Sequence, residues 1–258
     1  MDHDDVLALF DDRLRRNAPP DPGTRIERDG AVVRQVGREH SWNGVVWSGL
    51  DEAGADVAIA AQVRHFAELG LEFEWKTYSH DHPADLGARL LAAGFTPEPD
   101  EALMIARIAD LPTGVVLPEG VRLVPVTDPA GVDLLMEAHE QAFGVEHPGL
   151  RARMLDQLGH GTGTVVAVVA MAGDRPVSGA RMELIPGTGF AGLWGGGTAP
   201  DWRGRGIYRA LVAHRARLAA DLGYEYLQVD ASDQSRPILQ RLGFARLSTT
   251  TAYVRGVG

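Results

Sequence analysis

The chain has 258 residues, 45% hydrophobic and 23% charged, a length between one and two ordinary domains with ample material for a core. It contains no cysteine and a single lysine, Lys76. This excludes disulfides, thiolate metal sites, cysteine nucleophiles and a phosphate loop built on Gly-Lys. The formal charge of −10 disfavours nucleic-acid partners, which need a basic surface. It is compatible with a cationic small substrate.

The start, Met1-Asp2-His3-Asp4-Asp5, is acidic where a secretory leader is basic, and the longest apolar run, Val165 to Ala172, is too short to span a bilayer. A soluble, cytoplasmic protein of bacterial type, without a membrane partner, is expected. Asp4 to Arg16 reads as a helix halted by Asn17-Ala18-Pro19-Pro20. Strands are expected over Ala31–Val36 and Gly44–Ser48. Asp51 to Leu69 reads as a helix closed at Gly70, with Val57, Ile59, Val63, Phe66 and Leu69 on its apolar side. Leu71, Phe73 and Trp75 alternate with Glu72, Glu74 and Lys76, as in a half-buried strand. A helix opened by Pro83 runs to Ala93, Gly94-Phe95 closes it, and Leu103–Ile108 is a further strand.

Leu111-Pro112-Thr113-Gly114 and Pro118-Glu119-Gly120 form the best linker. Beyond it come a strand over Val121–Val126, helices over Pro129–Phe143 and Pro148–Leu158, and a loop at Gly159-His160-Gly161-Thr162-Gly163. Strands at Thr164–Met171, Val177–Ile185 and Phe190–Thr198 follow too closely for helical crossovers, so they form an antiparallel meander. Gly206–Leu222 is a helix with Ile207, Ala210, Leu211, Leu218 and Leu222 on one stripe. Tyr226–Asp230 is a strand, Ser235–Leu242 a short helix and Thr249–Val254 a closing strand. The halves rhyme: Leu69-Gly70, strand, helix, Gly94-Phe95 returns as Leu222-Gly223, strand, helix, Gly243-Phe244. The matched dipeptides point to duplication.

The chemistry concentrates in Gly195-Gly196-Gly197-Thr198-Ala199-Pro200-Asp201-Trp202-Arg203-Gly204-Arg205-Gly206-Ile207-Tyr208-Arg209. Three glycines at a strand end invite a ligand or another backbone to approach. The loop then delivers the chain to a helix N-terminus, whose free N–H groups and dipole form an anion seat. Arg203, Arg205 and Arg209 invert the local charge, as a pyrophosphate site requires. A Rossmann site fits poorly, because a meander and not a βαβ unit precedes the loop.

Arg203-Gly204-Arg205-Gly206-Ile207-Tyr208 resembles the Arg/Gln-x-x-Gly-x-Gly/Ala signature of the GNAT N-acetyltransferase superfamily. The likeness spans about residues 121 to 256; over 1–110 it is weaker, and no Arg-x-x-Gly-x-Gly occurs there. The resemblance implies an α+β fold of two tandem GNAT-like domains, each a mostly antiparallel mixed sheet flanked by helices. Residues 1–112 would be the degenerate N-terminal domain and 118–258 the acyl-CoA-binding catalytic domain, in a monomer (a pseudo-dimer of halves) or a homodimer. It implies acetyl-CoA as co-substrate, no metal, and direct acyl transfer to an amine of a small molecule. Gly196, Gly197 and Thr198 would bind the pantetheine arm; Arg203, Gly204, Arg205, Gly206, Ile207 and Tyr208 would cradle the pyrophosphate.

Two positions depart from the pattern. Tyr208 stands where the family's last Gly or Ala falls, and Leu239 where many members have a tyrosine that protonates the leaving thiolate. The alternative reading is therefore a catalytically silent protein that binds acyl-CoA or a small molecule. Glu183 and Asp230 are the candidate general bases. Ser232 and Ser235 are candidate CoA contacts, and capping of the following helix explains them equally well. Trp194, His139 and Glu140 are candidate acceptor contacts. His80-Asp81-His82 has the shape of a metal pair but reads better as a turn before Pro83.

Overall fold

The computed structural model describes residues 1–38, 41–112, 114, 116–144, 148–159 and 163–256. Thr113 of the linker and His160–Thr162 of the expected loop lie outside the described residues. Two compact units form. The first comprises Met1–Leu103, Asp230–Gln234 and Arg246–Gly258; the second comprises Met104–Val229 and Ser235–Ala245. Among the described residues no helix is long and apolar enough to cross a membrane.

In the first unit, α1 (His3–Phe10) runs into a π-helical turn, Asp11–Arg16. There follow β1 (Arg25–Asp29), β2 (Val32–Val36), β3 (Gly44–Ser48), α2 (Ala55–Leu69), β4 (Phe73–Tyr78), α3 (Leu86–Ala92) and the two-residue β5 (Thr96–Pro97). β1, β2 and β3 pair antiparallel, and β3 lies parallel to β4 through the α2 crossover. The strand on the far side of β4 is β12 (Ala245–Arg255), antiparallel from Thr250 opposite Tyr78 to Arg255 opposite Phe73. Strand β1 escapes the sequence pattern because neither of its faces is buried. Helix α2 also departs from expectation: Val57 is 71% exposed and Leu69 43% exposed, while Gln62 is buried. Gln62 is tolerated there because its Oε1 accepts from Arg34 at 2.7 Å.

Alternation along β4 sorts its side chains. Phe73 and Trp75 join Ile59, Phe66, Leu86, Leu90 and Phe95 in one core, with Phe66 stacked on Phe73 at 4.2 Å. Glu74, Lys76 and Tyr78 fall on the opposite register. There Arg15, only 2% exposed, lies 4.1 Å over the Tyr78 ring and donates two bonds to Asp81 at 2.8 and 2.7 Å. His80 bonds Asp11 through Nε2 and Ser248 through Nδ1, both at 2.9 Å. The His80-Asp81 pair is thus held by side chains of α1's continuation and β12. Among the described residues no group of three or more His, Asp or Glu is placed to hold a metal.

The same face carries the single lysine. Lys76 Nζ lies 3.0 Å from Asp230 Oδ2. Burial works against the Lys76 ammonium, but Asp230, Tyr78 and Glu74 more than offset it and hold its pKa above the ordinary value. Burial pushes the carboxyls of Glu74 and Glu101 up, with Lys76 opposing in both cases and Asp230 adding to the rise. A carboxyl whose folded value exceeds its unfolded one adds stability below the unfolded value and loses it as pH rises through the folded one. Glu101→Gln is therefore expected to be more stable than the native protein at pH 7. Urea midpoints should show that gain closing as pH falls towards the ordinary glutamate value of 4.5.

The second unit begins within β6 (Glu101–Arg107) and adds β7 (Val121–Pro125), α4 (Pro129–Phe143), α5 (Pro148–Gly159), β8 (Val165–Ala172), β9 (Arg175–Leu184) and β10 (Phe190–Thr198). Then come α6 (Ile207–Asp221), β11 (Tyr226–Ala231) and α7 (Arg236–Leu242). β7 through β10 are the expected antiparallel meander, and β10 pairs parallel with β11. Val132, Leu135, Ala138 and Met154 of α4 and α5 pack with Ala167, Val169 and Met171, whereas Ile207 and Leu211 of α6 pack with Val168, Ala170, Val177 and Ala180. Along β8 these residues alternate, so the two helical layers cover opposite faces. Leu222, expected on the buried stripe of α6, is 58% exposed; it follows the last helical residue and serves as the C-cap.

The internal rhyme is structural. Helix, strand and helix measure 15, 6 and 7 residues in α2-β4-α3 and again in α6-β11-α7. Gly70, Gly94, Gly223 and Gly243 all have positive φ, at 65°, 85°, 83° and 105°.

Candidate functional site

The site grows from an interruption in β10. Trp194 sits opposite Arg181 of β9 and Gly197 opposite Gly179, so β10 carries one extra residue between them, a bulge. Gly195 takes φ +56°, a conformation other residues adopt only under strain. On the other side, β10 pairs with β11 only from Phe190–Gly192 to Tyr226–Gln228, although both strands continue. The two strands part after Gly192 and leave backbone groups of β10 without a strand partner on that edge.

The three glycines do different work. Gly197 has no room for a side chain: a Cβ there would lie 2.6 Å from Phe143 and 2.7 Å from Ala142, so α4 packs directly on the strand. At Gly196 a Cβ would meet Tyr208 at 3.0 Å and Arg215 at 3.6 Å, on the α6 side. At Gly195 it would lie 3.8 Å from Arg181 Nη1 and 3.9 Å from His139 Nδ1.

Past Thr198 the chain turns through Pro200–Trp202 into the arginine-glycine loop. Arg203 is tied down: Nε donates to the Thr198 carbonyl at 3.0 Å and Nη2 to the Ala142 carbonyl at 2.8 Å. Arg205 lies 4.5 Å over the Trp202 ring. Gly206, at φ +86°, is the N-cap of α6; no side chain caps this helix and its first turn holds no acidic residue. α1, by contrast, is capped by the Asp2 side chain and has two aspartates in its first turn. The first N–H groups of α6 are left for an anion, with Arg205 and Arg209 nearby in sequence.

Three polar side chains at this site were not singled out from sequence. Arg215, on α6, is 1% exposed. It donates to the Leu211 carbonyl at 3.1 Å and to the Arg181 carbonyl at 2.8 Å, and no carboxylate among the described residues pairs with it. Burial pulls its guanidinium down to about 10, with Tyr208 opposing. The bulge follows the Trp194–Arg181 pair, and there Arg215 donates to the Arg181 carbonyl. An arginine at i+4 from Leu211, in an otherwise apolar stripe, was the available signal. Arg181 and Gln228 are the others, polar residues at inward positions of β9 and β11.

Trp194, Glu183, His139, Gly196, Gly197, Thr198, Arg203, Gly204, Arg205, Gly206, Ile207, Tyr208 and Ser235 all fall in the second unit. Asp230 and Ser232 belong to the first, where Lys76 engages Asp230 Oδ2 and the buried Oδ1 has no hydrogen bond among the described residues. Glu140 is exposed on α4. Ser235 occupies the N-cap position of α7 without a capping bond from its side chain. Leu239 is fully buried.

The second unit is thus a mixed sheet flanked by helices, whose parallel pair opens beside an uncapped helix N-terminus. Residues 132–244 match the acetyltransferase (GNAT) family. Solved structures share the whole fold. A GCN5-related N-acetyltransferase from Kribbella flavida is 18% identical, with 92% of this chain and 91% of that one covered, at a TM-score of 0.69. A tandem GNAT protein from the clavulanic acid biosynthesis pathway is 15% identical, covering 98% and 93%, at 0.65. A GCN5-related N-acetyltransferase from Sphaerobacter thermophilus is 17% identical, covering 88% and 77%, at 0.61. No curated protein sequence matches the chain.

Proposed function

We propose that the second unit is a CoA-dependent N-acyltransferase that uses acetyl-CoA and acylates the amine of a small molecule. The observation that carries this reading is the parting of β10 from β11 after Gly192, beside a loop that ends at the uncapped start of α6. The donor set suits the co-substrate: the α6 N–H groups, Arg205 and Arg209 for the phosphates, and the open edge of β10 over Gly196–Thr198 for the pantetheine amides. Acetyl-CoA supplies the thioester.

The chain's own residues supply orientation and two proton positions. Glu183, in the same unit as the bulge, is assigned the proton of the attacking amine. Asp230, paired with Lys76, is assigned a structural role. Tyr208 takes the place of the tyrosine that Leu239 does not provide. Its ring borders Gly196, and burial raises its phenol above the ordinary value of 10, with Arg215 opposing. The phenol thus stays protonated throughout the neutral range. As the C–N bond forms and the C–S bond breaks, the sulfur takes the Tyr208 Oη proton, and the proton on Glu183 restores it through solvent.

Tyr208→Phe is expected to lower kcat about tenfold with little change in acetyl-CoA affinity. The effect is modest because a thiol, with a pKa near 8.5, leaves readily without full protonation. Calorimetry with acetyl-CoA, followed by free-thiol release across an amine panel, tests the whole reading. No binding below the millimolar range would overturn it. Binding without transfer to any amine would favour the silent binding protein, the reading to which the buried Leu239 lends support.

A further inference from the structure

The α4 side of the opened strands holds far more hydrogen-bond donors than acceptors. Arg181 projects there from β9, with its side chain 11% exposed and its nearest carboxylate, Glu183, 3.7 Å away. A charge-assisted bond of full strength spans about 2.7–2.9 Å, so this pairing leaves the guanidinium underused. Burial holds Arg181 below its ordinary pKa; Glu183 opposes this and the neighbouring Arg153 adds to it. A second guanidinium thus stands near Arg181, in a chain of net charge −10.

Trp194 adds a donor. Its ring lies 6.0 Å from the Arg181 guanidinium, and its Nε1 is buried without a hydrogen-bond partner among the described residues. A buried N–H left in that state costs about 1–3 kcal/mol. Gly192 explains how two of the donors come together. A Cβ on Gly192 would come within 2.8 Å of Trp194 Nε1 and 2.7 Å of Gln228 Nε2. The bare glycine lets both N–H donors close on one point beside the strand, and Arg181 Nη1 lies 3.8 Å from where a Cβ on Gly195 would be.

We propose that this cluster of donors is the acceptor's anion site, and that the acceptor carries a carboxylate close to its amine, as an amino acid does. Arg181 offers two parallel N–H groups to the carboxylate oxygens, and Trp194 Nε1 and Gln228 Nε2 supply further donors. Glu183, two residues from Arg181 on the same face of β9, is then placed beside the amine. The inference rests on the acyl-transfer reading for its chemistry but not for its binding site.

Two measurements separate these. The twenty common L-amino acids are added singly to the full chain without acetyl-CoA, and the thermal midpoint is followed. At least one should raise it, and Arg181→Gln should abolish the rise; a midpoint unmoved by all twenty overturns the proposal. Thiol release from acetyl-CoA is then compared for histidine with histamine, tyrosine with tyramine and tryptophan with tryptamine. For at least one pair the amino acid should have a kcat/KM at least tenfold higher, and Arg181→Gln should bring that ratio close to one.

Equal or better turnover of the decarboxylated amines overturns the proposal. So does a preference for succinyl-CoA over acetyl-CoA with plain amines, which would place the carboxylate on the acyl donor. If acetyl-CoA fails to bind while an amino acid still shifts the midpoint through Arg181, the acyl-transfer reading falls and the carboxylate site stands. Should Arg181→Gln not fold, Trp194→Phe removes the N–H while keeping the ring, and must weaken the amino-acid shift.

Discussion

Gly206→Glu is expected to weaken acetyl-CoA binding by at least about 100-fold, or roughly 2.8 kcal/mol at 1.4 kcal/mol per tenfold. The strain acts on stability and the charge on binding. A side chain at φ +86° costs about 1–3 kcal/mol of backbone strain. The carboxylate would also stand where phosphate oxygens are to sit, and two like charges about 4 Å apart repel by up to about 4 kcal/mol near a protein surface. Arg209 Nη2 lies 3.4 Å from the point where the Cβ would be, so the new carboxylate would also capture a cation the ligand needs. Gly206→Ala is the control, since it carries the strain without the charge. Calorimetry should find its affinity much closer to native, while thermal melts of the two variants fall by similar amounts. Native affinity in Gly206→Glu would show that the start of α6 is not the phosphate seat.

Lys76→Met is expected to destabilise the first unit by about 3–5 kcal/mol, because it strands a buried carboxylate. Asp230 is 5% exposed at its side chain, and Lys76 is its ion-pair partner at 3.0 Å. Without Lys76, Asp230 would face Glu74 and Glu101, two carboxyls already pushed up by burial. The double variant Lys76→Met with Asp230→Leu removes both charges and should recover most of the loss, since apolar replacements of buried pairs are often neutral. Urea denaturation of the three proteins measures this directly. A single variant as stable as the native protein would mean that the pair is solvated and carries no structural load.

How much of this was legible in the sequence depends on whether a signal is local. The β10 and α4 bounds, the meander and the glycine-arginine loop announce themselves through periodicity, close strand spacing and residues with special backbone needs. The repeated element order was visible through its glycine dipeptides, since left-handed helix ends restrict the residue type at one position. Strand β1 was invisible because an edge strand with two solvated faces has no apolar alternation to display. Lys76 and Asp230 meet only through tertiary pairing, and nothing near either residue marks the other. Arg181, Arg215 and Gln228 looked like ordinary polar residues, and only the bulge and the parting of two strands give them something to hold. Arg203 is instructive in the opposite direction: its place in the motif suggested a phosphate ligand, whereas its guanidinium bonds two backbone carbonyls and shapes the loop.

The exchange that gives β12 to the first unit also sets a timetable. Thr77 bonds the Thr251 carbonyl across a separation of 174 residues, so β4 must wait for most of the polypeptide to be made before its neighbour exists. During synthesis at about 5–20 residues per second, the first unit spends many seconds with an unpaired inner strand. That open edge, with the lysine side of β4 uncovered, is where a nascent chain would aggregate or recruit a chaperone. Severing the chain at the linker would not release two domains, since residues 1–112 would be left without β12. The closing strand of the chain thus completes the unit in which the chain begins.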